Sequence, residues 1–242
     1  MENGLKEALA YAVGLAEPHT VDYAGGRFTD KQLSRIECDV RASAIHMKTL
    51  TGLVDYIKMM QADTLRYDQW IVQVKSPVEV SFYSKLNEDR KREALAVAEA
   101  ELPSIRYNSF TEAEDFLIAL RSMFVQTEAT DLLLKFAGTV EIGSVQQYSD
   151  DGISQKATVK QGISGKEEAI VPSPIALAPF RTFMEIEQPE SEFIFRMKSD
   201  DRSVFCALFE ADGGAWKNAA MQSIKQYLEE QLKDIDFVTV IA

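Results

Sequence analysis

Residues 70–82 constrain the fold more than any other stretch. Trp70, Val72 and Val74 recur at every second position, and Val78, Val80 and Phe82 do the same after Ser76-Pro77. Successive strand side chains point to opposite faces, so this alternation marks two strands with one buried face. A proline cannot donate to a strand ladder, which puts Pro77 in the turn. The stretch predicts a β-hairpin that must lay its apolar face on other elements.

Helical periodicity supplies those elements. In "TLTGLVDYIKMM", Thr49 is a candidate N-cap, and Leu50, Leu53, Val54 and Ile57 share one helix face. In "SFTEAEDFLIALRSMF", Ser109 and Glu112 match a capping box, with Ala113, Phe116, Leu117, Leu120 and Phe124 along one side. A second apolar turn, Leu132, Leu133 and Phe136, leads to Gly138. Asn87 and the acids after it predict a further helix, stopped by Pro103. Residues 215–232 predict a closing helix with Trp216, Ala220, Ile224, Tyr227 and Leu228 inward.

The remaining apolar runs read as strands. "RTFMEIE" is one. "EFIFRMK" and "SVFCALFE" form a hairpin around Asp200-Asp201, apolar on both faces as strands buried on two sides are. "IDFVTVIA" is a terminal strand, and "KEEAIVPSPIALAPF" crosses the surface or an edge. The order is helix, hairpin, helices, strands, helix, strand. It predicts an α+β fold with a mixed or antiparallel sheet and packed helices. Residues 1–48 read as an N-terminal helix and arm, with Leu5, Leu9 or Ala8, Ala12 and Leu15 at helical spacing and Pro18 as the stop. Residues 49–242 read as the main α+β domain.

"YSDDGISQKATVKQG", residues 148–162, is the odd element, a hairpin with little to bury on either face. With Asp151-Gly152 at the two central turn positions, Tyr148 faces Gln155 and Gln147 faces Lys156. A three-residue loop would shift these pairs. The stretch reads as a projecting polar arm, open to self-pairing along its edges.

Charge narrows the partners. The 242 residues carry 26 basic and 38 acidic side chains, a net charge of −12, against 46% hydrophobic residues. A non-specific coat for duplex DNA leaves a basic footprint, so that class is disfavoured. A local groove for single strands or nucleotides is not. No apolar run approaches the roughly 18 residues of a membrane span, and the start is a poor signal peptide. Two distant cysteines, Cys38 and Cys206, suit a reducing cytosol.

Motifs for chemistry are sparse. Only His19 and His46 are present, and with Cys38 they fall short of a four-ligand zinc set. Phosphate-binding loops and nucleophile elbows do not occur, so the sequence indicates no catalytic set, no metal site and no cofactor. Glu185, Glu187 and Glu190 form an acidic group that could hold Mg²⁺ if strand-borne. Tyr148, Phe180 and Phe183 beside Arg181 are candidates for base stacking. Lys156, Thr158, Lys160 and Lys166 on the arm and loop are candidates for phosphate contact or self-pairing, with Arg181 beside them.

Several stretches together, "SPVEVSFYSKLNEDRKRE", "FVQTEATDLLLKFAGTV", "DDGISQKATVKQGI", "LAPFRTFMEIEQPESEFIFRM" and "CALFEADGGAWKNAAMQSIKQYLEEQL" among them, resemble a family of tailed-phage and prophage proteins known as domain of unknown function 2303. The resemblance runs from about residue 49 to the end. It implies a bacteriophage origin and a location in the host cytoplasm, and transfers no functional residue. The expectation is a non-enzymatic phage accessory protein that forms homo-oligomers and binds a host protein or small nucleotide ligand, with counteraction of host defence as one such task. The alternative is a single-stranded nucleic-acid binder or annealer of a phage recombination or replication module.

Overall fold

A computed structural model describes residues 2–15, 17–23, 26–30, 41–65, 67–87, 90–142, 145–150, 154–161, 165–199 and 203–242. The chain divides into two compact units, residues 1–41 and 42–242.

The first unit holds helix α1 (Glu2–Gly14) and an antiparallel ribbon of β1 (Thr20–Tyr23) and β2 (Gly26–Thr29). Across the ribbon the Arg27 guanidinium pairs with Asp22 at 3.0 Å.

The second unit is α+β and holds two cores. The first core lies on a five-stranded sheet of β3 (Ile45–Met47), β4 (Trp70–Ser76), β5 (Glu79–Ser84), β6 (Ala94–Glu99) and a C-terminal strand, Val238–Ile241, which is β14 in chain order. The strand order is β14-β4-β5-β6-β3. The inner strands are antiparallel, and the two outer pairs are parallel. Trp70, Val72, Val74, Val80 and Phe82 are buried as the alternation requires, but Val78 falls in the turn and is half-buried, and Ser81 on the other face of β5 is buried as well. They meet α2 (Leu50–Met59), which is followed by the single turn α3 (Gln61–Thr64), and the long helix Ala215–Gln231, which is α6 in chain order. Thr49 caps α2 by accepting from the Gly52 amide at 3.0 Å.

The second core lies under a four-stranded sheet. Its strands are β7 (Thr111–Glu112), β11 (Ile175–Leu177), β12 (Ser191–Ser199) and β13 (Val204–Glu210), in the order β11-β12-β13-β7. Helices α4 (Ala113–Met123) and α5 (Glu128–Ile142) cover its inner face through Phe116, Leu120, Leu133 and Phe136. These side chains pack on Phe193, Phe195, Cys206 and Leu208. A separate antiparallel sheet contains β8 (Val145–Asp150), β9 (Ser154–Gln161) and β10 (Gly165–Pro172), with β9 central.

Five sequence expectations are corrected. Where a helix from Asn87 to Pro103 is expected, the described residues hold β6 (Ala94–Glu99) instead. Alanine-rich helix propensity yields there to pairing with β5, and the Asn87 side chain caps a turn by accepting from the Lys91 amide at 2.8 Å. The capping box at Ser109 does not form: Thr111 and Glu112 are drawn into β7, and Glu112 holds the N-cap position without a side-chain bond. Helix α5 runs past Gly138 to Ile142. "RTFMEIE" is a packed loop instead of a strand. Of the two settings expected for residues 166–180, the edge holds and the surface crossing does not: β10 and β11 are edge strands of their sheets, and Val171, Ile175 and Leu177 enter the core.

The polar hairpin is present with another register and another setting. Tyr148 pairs with Ala157 and Ser149 with Lys156, two residues from the tight-turn expectation, and a bulge follows between Val145 and Gln147. Its second strand pairs on both edges, because β10 occupies the far side. The arm is therefore two strands of a three-stranded sheet.

Candidate functional site

The outer face of the four-stranded sheet collects aromatic and cationic side chains. On β12, inward Phe193, Phe195 and Met197 alternate with outward Ile194, Arg196 and Lys198. On β13, inward Cys206 and Leu208 alternate with outward Phe205, Ala207 and Phe209. The register sets Ile194 opposite Phe209, Arg196 opposite Ala207 and Lys198 opposite Phe205. Strand β7 adds Glu112 opposite Phe205, and Phe110 lies just before it.

The centre of this face is built around a small residue. Ala207 is almost fully covered, although Phe205 and Phe209 on either side are only half-buried and Phe110 is exposed. The β13–β7 register, continued by one residue, brings Phe110 level with Ala207. The Lys198 ammonium stands 4.3 Å from the centre of the Phe110 ring and 5.7 Å from that of Phe205. The Phe110 and Phe209 rings meet edge to face at 6.2 Å. Such cation–ring contacts are worth roughly 0.5–1 kcal/mol at exposed sites. Arg196 hydrogen-bonds the Phe195 carbonyl at 2.9 Å and reaches the Ser173 hydroxyl at 3.4 Å. Glu112 and Glu192 are the acids on this face.

The expected site residues are distributed differently. Lys156, Thr158 and Lys160 lie along β9 and Lys166 on β10, where Lys166 pairs with Lys160, Glu168 with Thr158, and Ile170 with Lys156. Arg181 is not on a surface. It is 6% exposed, donates to the Ser191 hydroxyl at 2.5 Å, the Pro189 carbonyl at 3.2 Å and Glu210 at 3.3 Å, and stacks 3.9 Å over the Trp216 ring. Burial pushes its guanidinium down from the usual range, against the pull of Tyr107, Asp212 and Glu210. Burial likewise pushes the Tyr107 hydroxyl well up. Arg181 is thus a structural bolt, and a phosphate cannot reach it as a surface contact. Phe183 is buried in the first core, which removes it as a stacking platform. Tyr148 lies on β8 in the separate sheet.

Glu185 and Glu187 sit on the packed loop, and the Glu185 carboxylate accepts from the Thr51 amide at 2.9 Å. With Glu229 and Glu230 they line an open acidic depression of about 590 Å³. Among the described residues no three His, Cys, Asp or Glu side chains converge as a metal set would. Cys206 is buried in the second core, Cys38 lies outside the described residues, and His46 is on edge strand β3. No helix among the described residues is long and apolar enough to cross a membrane.

Phe110, Phe205, Phe209 and Lys198 escaped the sequence reading. The signal was present in "SVFCALFE", where Phe205 and Phe209 alternate with Cys206 and Leu208. Reading both faces as buried concealed it. No protein-family model matches the chain, and neither a curated protein nor a solved structure matches it.

Proposed function

We propose that this chain binds single-stranded nucleic acid on the outer face of its four-stranded sheet, with bases stacked on Phe110, Phe205 and Phe209. The observation that carries the reading is the cluster of these three rings around Ala207, with Lys198 among them. Every base has a π-face, so an antiparallel sheet that displays aromatics is a sequence-tolerant stacking platform. Lys198 is placed to meet a phosphate, and Arg196 stands beside it. Glu112 and the net charge of −12 oppose a polyanion. Affinity then comes from stacking more than from charge. Such an activity fits the recombination or replication module of a phage, the setting implied by the resemblance to domain of unknown function 2303.

The test is fluorescence anisotropy with labelled oligothymidine at low and moderate salt. Stacking is worth about 1–3 kcal/mol per base, so Phe205→Ala with Phe209→Ala should weaken binding at least about tenfold. Both rings are half-exposed, which lets the core survive the change. About two phosphate contacts predict a shallow salt slope, near −1.4 in log K against log salt. Glu112→Gln should tighten binding severalfold, by up to about 1 kcal/mol, as a nearby like charge is removed. Failure of the wild-type protein to bind at low salt overturns the reading.

A further inference from the structure

The N-terminal unit poses a separate problem. Leu5, Leu9, Tyr11, Val13 and Leu15 are 57–71% exposed, and none of the unit's described side chains is buried. Helix α1 has 13 residues. Isolated helices shorter than about 12–15 residues are marginal in water. A lone two-stranded ribbon is equally marginal. Val21 and Phe28 stand directly opposite each other on that ribbon and are 62% and 57% exposed. Both elements therefore present apolar surface that calls for a partner.

We propose that this unit is a self-association surface, in which α1 pairs antiparallel with α1 of a second copy of the chain. The spacing selects that occupant. Leu5, Ala8, Ala12 and Leu15 follow intervals of three, four and three, which read the same in either direction. An antiparallel two-fold sets Leu5 opposite the partner's Leu15 and Ala8 opposite the partner's Ala12. Large side chains then close both ends, and small ones let the backbones approach at the middle. This is the self-complementarity that an isologous interface requires.

Charge points the same way. Helix α1 has no basic residue in its last turn, where exposed carbonyls carry partial negative charge. The antiparallel pairing brings the partner's Lys6 to that end, beside Gly14. A membrane surface is the poorer occupant. Residues 1–41 carry seven acidic against five basic side chains, a net negative charge that opposes anionic lipid. Val21 and Phe28 on the ribbon are a second exposed apolar pair in the same unit.

The experiment is the mass of the full chain in solution, by sedimentation from micromolar to submillimolar concentration. The wild type should form a dimer in a concentration-dependent way, and Leu5→Glu with Leu15→Glu should give a monomer with the same thermal unfolding of the main unit. Register is read by cysteine cross-linking in a Cys38→Ser background. Mixed Ala8→Cys and Ala12→Cys chains should cross-link to each other faster than either does to itself. A wild type that stays monomeric throughout overturns the proposal. So does a double glutamate variant that keeps the wild-type mass, or a preference of Ala8→Cys for its own copy. None of these outcomes depends on nucleic-acid binding.

Discussion

Arg181 shows how a charge can be committed entirely to structure. Its guanidinium ties the start of β12 to the end of β13 and to the first turn of α6. Arg181→Ala removes its hydrogen bonds to Ser191 and Pro189 and its packing on Trp216, while the Glu210 carboxylate it leaves is partly exposed to water. The urea-unfolding free energy should fall by about 1–3 kcal/mol, and an unchanged stability would contradict this account. Gln188 is a second such residue. Its side-chain oxygen accepts from the amides of Arg181 and Thr182, and its side-chain amide donates to the Phe183 carbonyl at 3.0 Å. Tyr56 gives a pH signature. Burial, and then its hydrogen bond to Asp63, push its hydroxyl up to about 12. A folded pKa above the ordinary 10 means that the folded state holds the proton longer. This contribution to stability is full below pH 10 and is lost as pH rises toward 12. Phenolate absorbance should show two tyrosines, Tyr56 and Tyr107, titrating late, and Tyr56→Phe should remove the earlier of the two late phases.

At the scale of elements, local signals succeeded where tertiary pairing did not compete with them. The Thr49 cap, the buried stripe of α2 and the β4–β5 alternation are all as the sequence implies. Thr49→Ala should cost about 1 kcal/mol in thermal or urea unfolding, the usual worth of such a cap. Leu53→Ala, in the fully buried stripe, should cost about 2.7–5 kcal/mol through cavity formation. By contrast, β6 carries helix-forming alanines but is held as a strand between β5 and β3. Ser109 offers a good cap but loses its place because β13 recruits Thr111 and Glu112. In both cases a neighbour distant in sequence outweighs a preference of less than about 1 kcal/mol per residue.

At the scale of the molecule, the 42–242 unit is two sheet-and-helix cores joined by the segment 178–190. Thr182 donates from that segment to the Pro77 carbonyl at 2.5 Å, at the turn of the first core's hairpin. Phe183 and Ile186 enter the first core, while Arg181 bonds the strands of the second. The two cores should therefore unfold together. Calorimetry should show one transition for residues 42–242, and Gln188→Ala should split or broaden it by loosening the joining segment. Two well-separated transitions in the wild type would contradict the coupling.

Sequence alone determined the α+β class, the apolar alternation of the hairpin at 70–82, the helical faces of α2 and α4, and the net charge of −12. Each follows from periodicity or composition, which are local properties. Tertiary structure decided which strands pair, and so which faces stay open. It turned a polar arm into part of a three-stranded sheet and buried Arg181 beneath Trp216. It also left Phe205 and Phe209 outward, with Lys198 against the Phe110 ring beside them. The physical reason is that a strand's two faces differ only in what packs against them, and that partner lies far away along the chain.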